Sequence, residues 1–127
     1  MSDAQNDLDQ PLFHAAMPDD WAAAFQTGQY TMSTRGQTLD EVGFIHLSTR
    51  AQVEETANRF YDDVDELVLL TIDQRKVPSE IRWEAPAPGV DTLFPHIYGP
   101  LPIPAVVVTN FWRRIDENGV GWSLSNL

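Results

Sequence analysis

Apolar positions along this chain repeat at two periods, and the change from one to the other marks out its elements. Residues 11–15 read as a first strand. Pro18-Asp19-Asp20 then opens a short helix running through Phe25, because proline suits a first turn and acids suit a helix N-terminus. Gly28 is placed to end it. Residues 30–41 are polar and read as a loop. Residues 43–48 alternate, with Phe44, His46 and Ser48 on one face and Ile45 and Leu47 on the other. Thr49 followed by Gln52 is a capping-box pattern, and Val53, Ala57 and Phe60 follow at helical spacing, which predicts a helix over 50–61. The acidic run 62–66 leaves that helix as a solvated loop. Residues 67–72 read as a buried strand. In residues 80–84, Ile81 and Trp83 oppose Glu80, Arg82 and Glu84. A further strand over 94–98 places Phe94, His96 and Tyr98 on one face, and a last one over 105–112 is rich in β-branched valine. Asn118-Gly119 marks a turn, and residues 122–127 form either a docked tail or a disordered one.

Strands outnumber helices, and the two helices lie in the N-terminal half, so the fold class is α+β with small, mainly antiparallel sheets. There is no internal repeat, and the Pro/Gly clusters at 85–89 and 99–104 have loop length. The expected organisation is a flexible tail over 1–10, one domain over 11–114, and a turn and tail over 115–127.

Composition narrows the partners. A chain of 127 residues with 43% apolar and 10% aromatic residues suits one self-folding domain. There is no cysteine, which removes disulfides, thiol nucleophiles and zinc-thiolate sites. Residues 1–10 lack the basic and apolar regions of a secretory signal. No apolar run approaches the ~20 residues of a membrane span. A cytoplasmic protein with no membrane partner is expected. The net charge of −11 repels duplex phosphates, although a local arginine pocket for one phosphate or nucleotide stays compatible with it.

Candidate chemistry centres on His14, His46 and His96, since histidine alone exchanges protons readily near neutral pH without a shifted pKa. Each lies on a predicted strand between apolar residues, as a rigidly held site residue would, or as a hydrogen-bonded core histidine would. No pair has metal-binding spacing, and the acidic run lacks the glycine of a calcium loop, so no metal is expected. Arg82 and Glu84 share a strand face, either as an ion pair or as an anion clamp with a general acid or base. Arg59, near the end of the predicted helix, either meets terminal carbonyls or turns into the same cleft. Glycine-rich phosphate loops, nucleophile elbows, HExxH and dinucleotide fingerprints are absent.

The strings Glu41-Val42-Gly43-Phe44-Ile45-His46-Leu47-Ser48-Thr49, Thr56-Ala57-Asn58-Arg59-Phe60-Tyr61, Arg82-Trp83-Glu84 and Phe94-Pro95-His96-Ile97-Tyr98-Gly99-Pro100-Leu101 resemble the bacterial domain-of-unknown-function family numbered 952. That family is in turn similar in fold to the ADP-ribosyltransferase superfamily, which includes RNA 2′-phosphotransferases and binds NAD in a cleft between two small sheets. The resemblance implies two sheets forming a cleft. His14 stands where that superfamily has a ribose-binding histidine, and His46-Leu47-Ser48 looks like its second motif. Ala15 and Ala16 stand where Gly-Thr is usual, and His96 stands where a glutamate is usual, which argues against protein ADP-ribosylation.

The resulting expectation is a cleft that binds NAD, ADP-ribose or another nucleotide phosphate. His46, His96 and Glu84 would be the catalytic groups. His14, Ser48, Thr49, Asn58, Arg59, Arg82, Trp83 and Tyr98 would contact the ligand. NAD would enter as a substrate rather than a resident cofactor. A non-catalytic module binding a small ligand or partner segment, and a purely structural role for the histidines, are the alternatives.

Overall fold

The computed structural model describes residues 7–127. Strand β1 (Leu12–Ala16) is buried along its whole length. Helix α1 (Pro18–Ala24) starts on Pro18, with Asp19 and Asp20 in its first turn, and Gly28 follows it at a φ of 82°. Next come three short strands, β2 (Gln29–Tyr30), β3 (Met32–Thr34) and β4 (Gln37–Thr38), and a single helical turn, α2 (Leu39–Val42). The loop expected over 30–41 is therefore a hairpin and a capped turn. Its cap is reciprocal: the Glu41 amide donates to Thr38 Oγ1 at 3.2 Å, and the Thr38 amide donates to Glu41 Oε1 at 2.9 Å. Gly43 ends the turn at a φ of 101°, a conformation open chiefly to glycine.

Strand β5 is only Ile45–His46, shorter than the alternating stretch suggested. Helix α3 (Arg50–Phe60) follows, with the Gln52 carboxamide accepting from the Thr49 amide at 3.0 Å. The remaining strands are β6 (Glu66–Ile72), β7 (Ile81–Glu84), β8 (Phe94–Ile97), β9 (Leu101–Pro102) and β10 (Val106–Arg113).

These strands form four sheets rather than two: β1-β6-β10 and β5-β8-β7, each three-stranded, and the ribbons β2-β9 and β3-β4. Every pairing is antiparallel. The ribbons β2-β9 and β3-β4 stand apart from the two main sheets, and the two-residue strand β5 completes one of those sheets along β8.

The central strand β6 explains its own unbroken apolar run, because it is covered on both faces. Val68, Leu70 and Ile72 join Leu12, Ile45 and Ile97 in one core. Leu67 and Leu69 join Phe13, Val53, Ala57, Trp112 and Trp122 in the other. Alternate residues of one strand therefore feed two cores.

Both ends of the described chain are tied down. Trp122 donates its ring Nε1 to the Tyr61 carbonyl at 2.9 Å and its backbone amide to Asn58 Oδ1 at 2.7 Å. Its ring meets Trp112 at 5.1 Å, edge to face. The docked form of the tail is the one adopted. At the other end, Gln74 Nε2 donates to the carbonyls of Asp7 and Gln10, and Arg75 pairs with Asp9. Of the flexible tail expected over 1–10, residues 1–6 lie outside the described residues, and 7–10 rest on the turn at Gln74–Lys76. No helix among the described residues is long and apolar enough to cross a membrane.

Candidate functional site

A backbone bridge joins the two three-stranded sheets. Phe13 of β1 and Ser48, two residues beyond β5, exchange both backbone hydrogen bonds at 2.8 Å. One residue earlier, the Leu47 amide donates to the Pro95 carbonyl at 2.9 Å, at the β8 strand. The segment from Ile45 to Ser48 therefore belongs to one sheet at its start and touches the other at its end. Beside this junction lies a cavity of about 580 Å³. One wall is β1, with Phe13, His14 and Ala15. The β3-β4 hairpin contributes Ser33, Thr34 and Gln37, and α3 contributes Glu55, Thr56 and Arg59 together with Phe60. Tyr61 follows α3 in the wall, and Pro86, Ala87 and Val90 close the far side.

His46 enters this cavity half-buried. Its ring meets Phe44 and His96 edge-on, with centroids 4.9 and 5.1 Å away. Burial, with a smaller contribution from the charge of His96, pushes its pKa down to about 4, so at neutral pH it is an uncharged imidazole. Among the described residues neither ring nitrogen has a hydrogen-bond partner.

His14 lines the same cavity but is fully engaged. Its Nδ1 lies 2.6 Å from the His46 carbonyl, which can only accept, so Nδ1 carries the proton. Its Nε2 then accepts from the Tyr30 hydroxyl at 2.9 Å. Burial is the main cause holding this ring down at about 4, and burial likewise raises the Tyr30 phenol.

Hydroxyls, the Gln37 carboxamide, the Glu55 carboxylate and the Arg59 guanidinium supply the remaining polarity. Ser48 Oγ and Thr56 Oγ1 are 3.2 Å apart, and Thr34 Oγ1 and the Tyr61 hydroxyl are 3.1 Å apart. Ser33 Oγ is buried with no hydrogen-bond partner among the described residues. Arg59 is exposed at the rim, its guanidinium carbon 5.9 Å from the Phe60 ring centre. Among the described residues it has no acidic partner.

The other expected site residues lie elsewhere. His96 is almost wholly buried and does not line the cavity. Its Nδ1 donates to Glu84 Oε1 at 2.9 Å, and the Tyr98 hydroxyl donates to the same oxygen at 2.6 Å. These bonds, Tyr98 first and His96 second, hold the Glu84 carboxyl below the usual range, and the Tyr98 phenol is raised in turn. Phe44 stacks over His96 at 4.1 Å, and His96 Nε2 is buried with no hydrogen-bond partner among the described residues. Arg82 pairs with Glu80 at 3.0 Å and lies over the Tyr98 ring at 4.3 Å. This network adjoins the cavity through the His46 ring and through Phe94, which faces Glu84 across β7 and β8. Thr49 and Trp83 border a separate hollow of about 340 Å³. Asn58 faces the tail, donating Nδ2 to the Trp122 carbonyl at 2.9 Å.

Of the eleven residues expected at a site, His14, His46, Ser48 and Arg59 converge on the cavity. Thr56 and Tyr61 went unnoticed, although Thr56 lies one helical turn before Arg59 on α3. Ser33, Thr34 and Gln37 were hidden in the segment read as loop. No group of three or more metal-ligating side chains occurs among the described residues.

Comparison with known proteins gives this geometry relatives. The X-ray structure of a double mutant of protein CC0527 from Caulobacter crescentus superposes with a TM-score of 0.75 at 27% identity, covering 91% of this chain and 95% of that one. A second X-ray structure of CC0527 gives 0.75 at 26% identity over the same shares. Its solution NMR structure gives 0.68 at 29%, covering 84% and 87%. No curated protein matches. The profile of the family described as "Protein of unknown function (DUF952)" matches residues 15–109, from within β1 to within β10, and the chain belongs to that family.

Proposed function

We propose that the cleft binds a nucleotide-type ligand, with Arg59 on its phosphate and His46 and Ser48 on its ribose or base, in an arrangement like that of the ADP-ribosyltransferase superfamily. One observation carries the reading. His46 and Arg59 line the same cavity, and among the described residues the His46 ring nitrogens have no hydrogen-bond partner and the Arg59 guanidinium has no acidic one. The cavity volume of about 580 Å³ lies within the ~300–1,000 Å³ typical of small-ligand pockets. Its walls are mostly apolar and aromatic, which suits a planar ring, and the guanidinium at the rim suits a phosphate.

The assignment of roles follows from the protonation states. An uncharged, unbonded His46 can take a proton from an attacking hydroxyl or water in a transfer reaction. His14 has no nitrogen left for a ribose, and its role is to hold the His46 backbone in place. His96 and Glu84 act on the cleft through the residues beside them that line it, His46 and Phe94. NAD, ADP-ribose and 2′-phosphorylated nucleotides are the ligands to test, each as substrate. The engagement of Glu84 outside the cleft favours a second reading, binding without turnover, because it takes the expected carboxylate away from an oxocarbenium-like transition state and leaves Glu55 as the acid in the lining.

Thermal-shift and calorimetric titrations test both readings, using wild type, His46→Ala and Arg59→Ala against NAD, ADP-ribose, nicotinamide and a 2′-phosphorylated nucleotide. A ligand of the folded state raises the unfolding midpoint by mass action. The expected result is a wild-type shift that Arg59→Ala removes for phosphate-bearing ligands and His46→Ala removes for all of them. No shift with any ligand, or shifts that survive both substitutions, would overturn the proposal. Product formation from labelled NAD or 2′-phosphorylated RNA separates an enzyme from a binder.

A further inference from the structure

Strand β10 is an outer strand of its sheet, paired with β6 on one side. Among the described residues no other segment hydrogen-bonds to the outer backbone edge of residues 108–112. Three large apolar side chains stand exposed on this strand: Phe111 at 75%, and Val107 and Val108 at 48% each. Free edges of this kind are normally blunted by lysine, proline or covering loops, because they template pairing with another chain. Here residues 106–112 contain no charge and no proline. The one irregularity is a bulge between Val106 and Val108, so the ladder is regular from Val108 to Arg113.

We propose that β10 pairs antiparallel with β10 of a second copy about a two-fold axis, joining two three-stranded sheets into one of six. A second copy is the occupant because the edge is self-complementary. In a two-fold antiparallel pairing, facing residues must point to the same side of the sheet, so the axis passes through a residue. Centred on Asn110, the pairing uses only the regular part of the strand. It sets Phe111 opposite the other copy's Thr109, Val108 opposite Trp112, and Asn110 opposite itself, where two carboxamides can pair. No like charges face each other along this edge, although each copy carries −11 overall. One strand pair covers less than the ~1,200 Å² at the lower limit of stable interfaces, so the dimer is weak and reverses on dilution. The long-range repulsion between acidic copies is screened by salt, the Debye length falling from ~8 Å at physiological ionic strength to ~3 Å at 1 M. Association therefore strengthens as salt is added.

The test combines sedimentation velocity over about a hundredfold range of concentration with cross-linking by single cysteines. The native chain has none, so each engineered thiol reports alone. In the proposed register the two copies' residue 110 positions face each other with Cα atoms ~4.5–5.5 Å apart, within disulfide range. The two residue 107 positions lie about six residues apart, ~20 Å. Asn110→Cys should cross-link on mild oxidation at least tenfold faster than Val107→Cys. Wild type should sediment faster with rising concentration and rising NaCl, and Phe111→Lys, at a site exposed enough to leave folding intact, should stay monomeric. A wild type that is monomeric throughout, or equal cross-linking at the two positions, would overturn the proposal.

Discussion

Mild acid should destabilise this protein through His14, by an amount that follows from its surroundings. In the fold, burial holds the ring at about 4, whereas in the unfolded chain it titrates near ~6.5. Between those values the unfolded chain binds a proton that the folded chain refuses. The resulting stability is therefore complete above pH 6.5 and is lost as pH falls towards 4. At ~1.36 kcal/mol per unit for one proton, the loss is about 2 kcal/mol at pH 5 and about 3 kcal/mol at pH 4. His46 is shifted in the same direction, but it is half-exposed to the cleft and adds less. His14→Gln removes the titration while keeping a donor for the His46 carbonyl and an acceptor for the Tyr30 hydroxyl. Urea unfolding followed by tryptophan fluorescence at pH 7, 6 and 5 reads the difference, with Trp112 and Trp122 buried as reporters. Changes in overall acidic self-repulsion are common to both proteins and cancel in the comparison. The variant should lose markedly less stability from pH 7 to pH 5; equal losses in the two proteins would refute the burial argument.

Other expectations rest on local structure. Asn58→Ala leaves the Trp122 amide and carbonyl without their side-chain partner and should cost about 1–3 kcal/mol, with residues 115–127 becoming sensitive to limited proteolysis. Trp122→Ala removes a ring at the centre of the second core and should cost about 3–5 kcal/mol by urea unfolding. Gly43→Ala forces a side chain into a φ of 101°, costing about 1–3 kcal/mol, read as a lowered thermal midpoint. Phe111→Lys, on an exposed site, should change monomer stability by no more than about 0.5 kcal/mol.

The sequence-derived picture succeeded where a period ran long enough to be read. The spacing of Val53, Ala57 and Phe60 and the Thr49/Gln52 cap marked α3 to within a residue. The continuous run in β6 marked a strand covered on both faces. The segment 30–41 escaped because strands of two or three residues have no period, although Thr38-Leu39-Asp40-Glu41 carries the capping pattern that opens α2. Alternation also assigned His46 and His96 to strand faces without saying what those faces meet. All three histidines sit among apolar neighbours on strands, yet their fates differ because their partners come from distant segments. Tyr30 and the His46 backbone satisfy His14, Glu84 engages His96, and among the described residues no hydrogen-bond partner reaches the His46 ring. Those pairings depend on how four sheets meet, and no local pattern encodes that.

The junction at Phe13 and Ser48 bears on how the family can vary. The two hydrogen bonds that join the sheets there run from main chain to main chain, so they do not depend on which side chains the two residues carry. Substitutions in the surrounding lining can change the size, polarity and charge of the cavity while the walls keep their relative angle. Such a scaffold lets the chemistry of the cavity lining drift among relatives without a change of architecture, and at 26–29% identity a shared fold is then compatible with differently lined cavities.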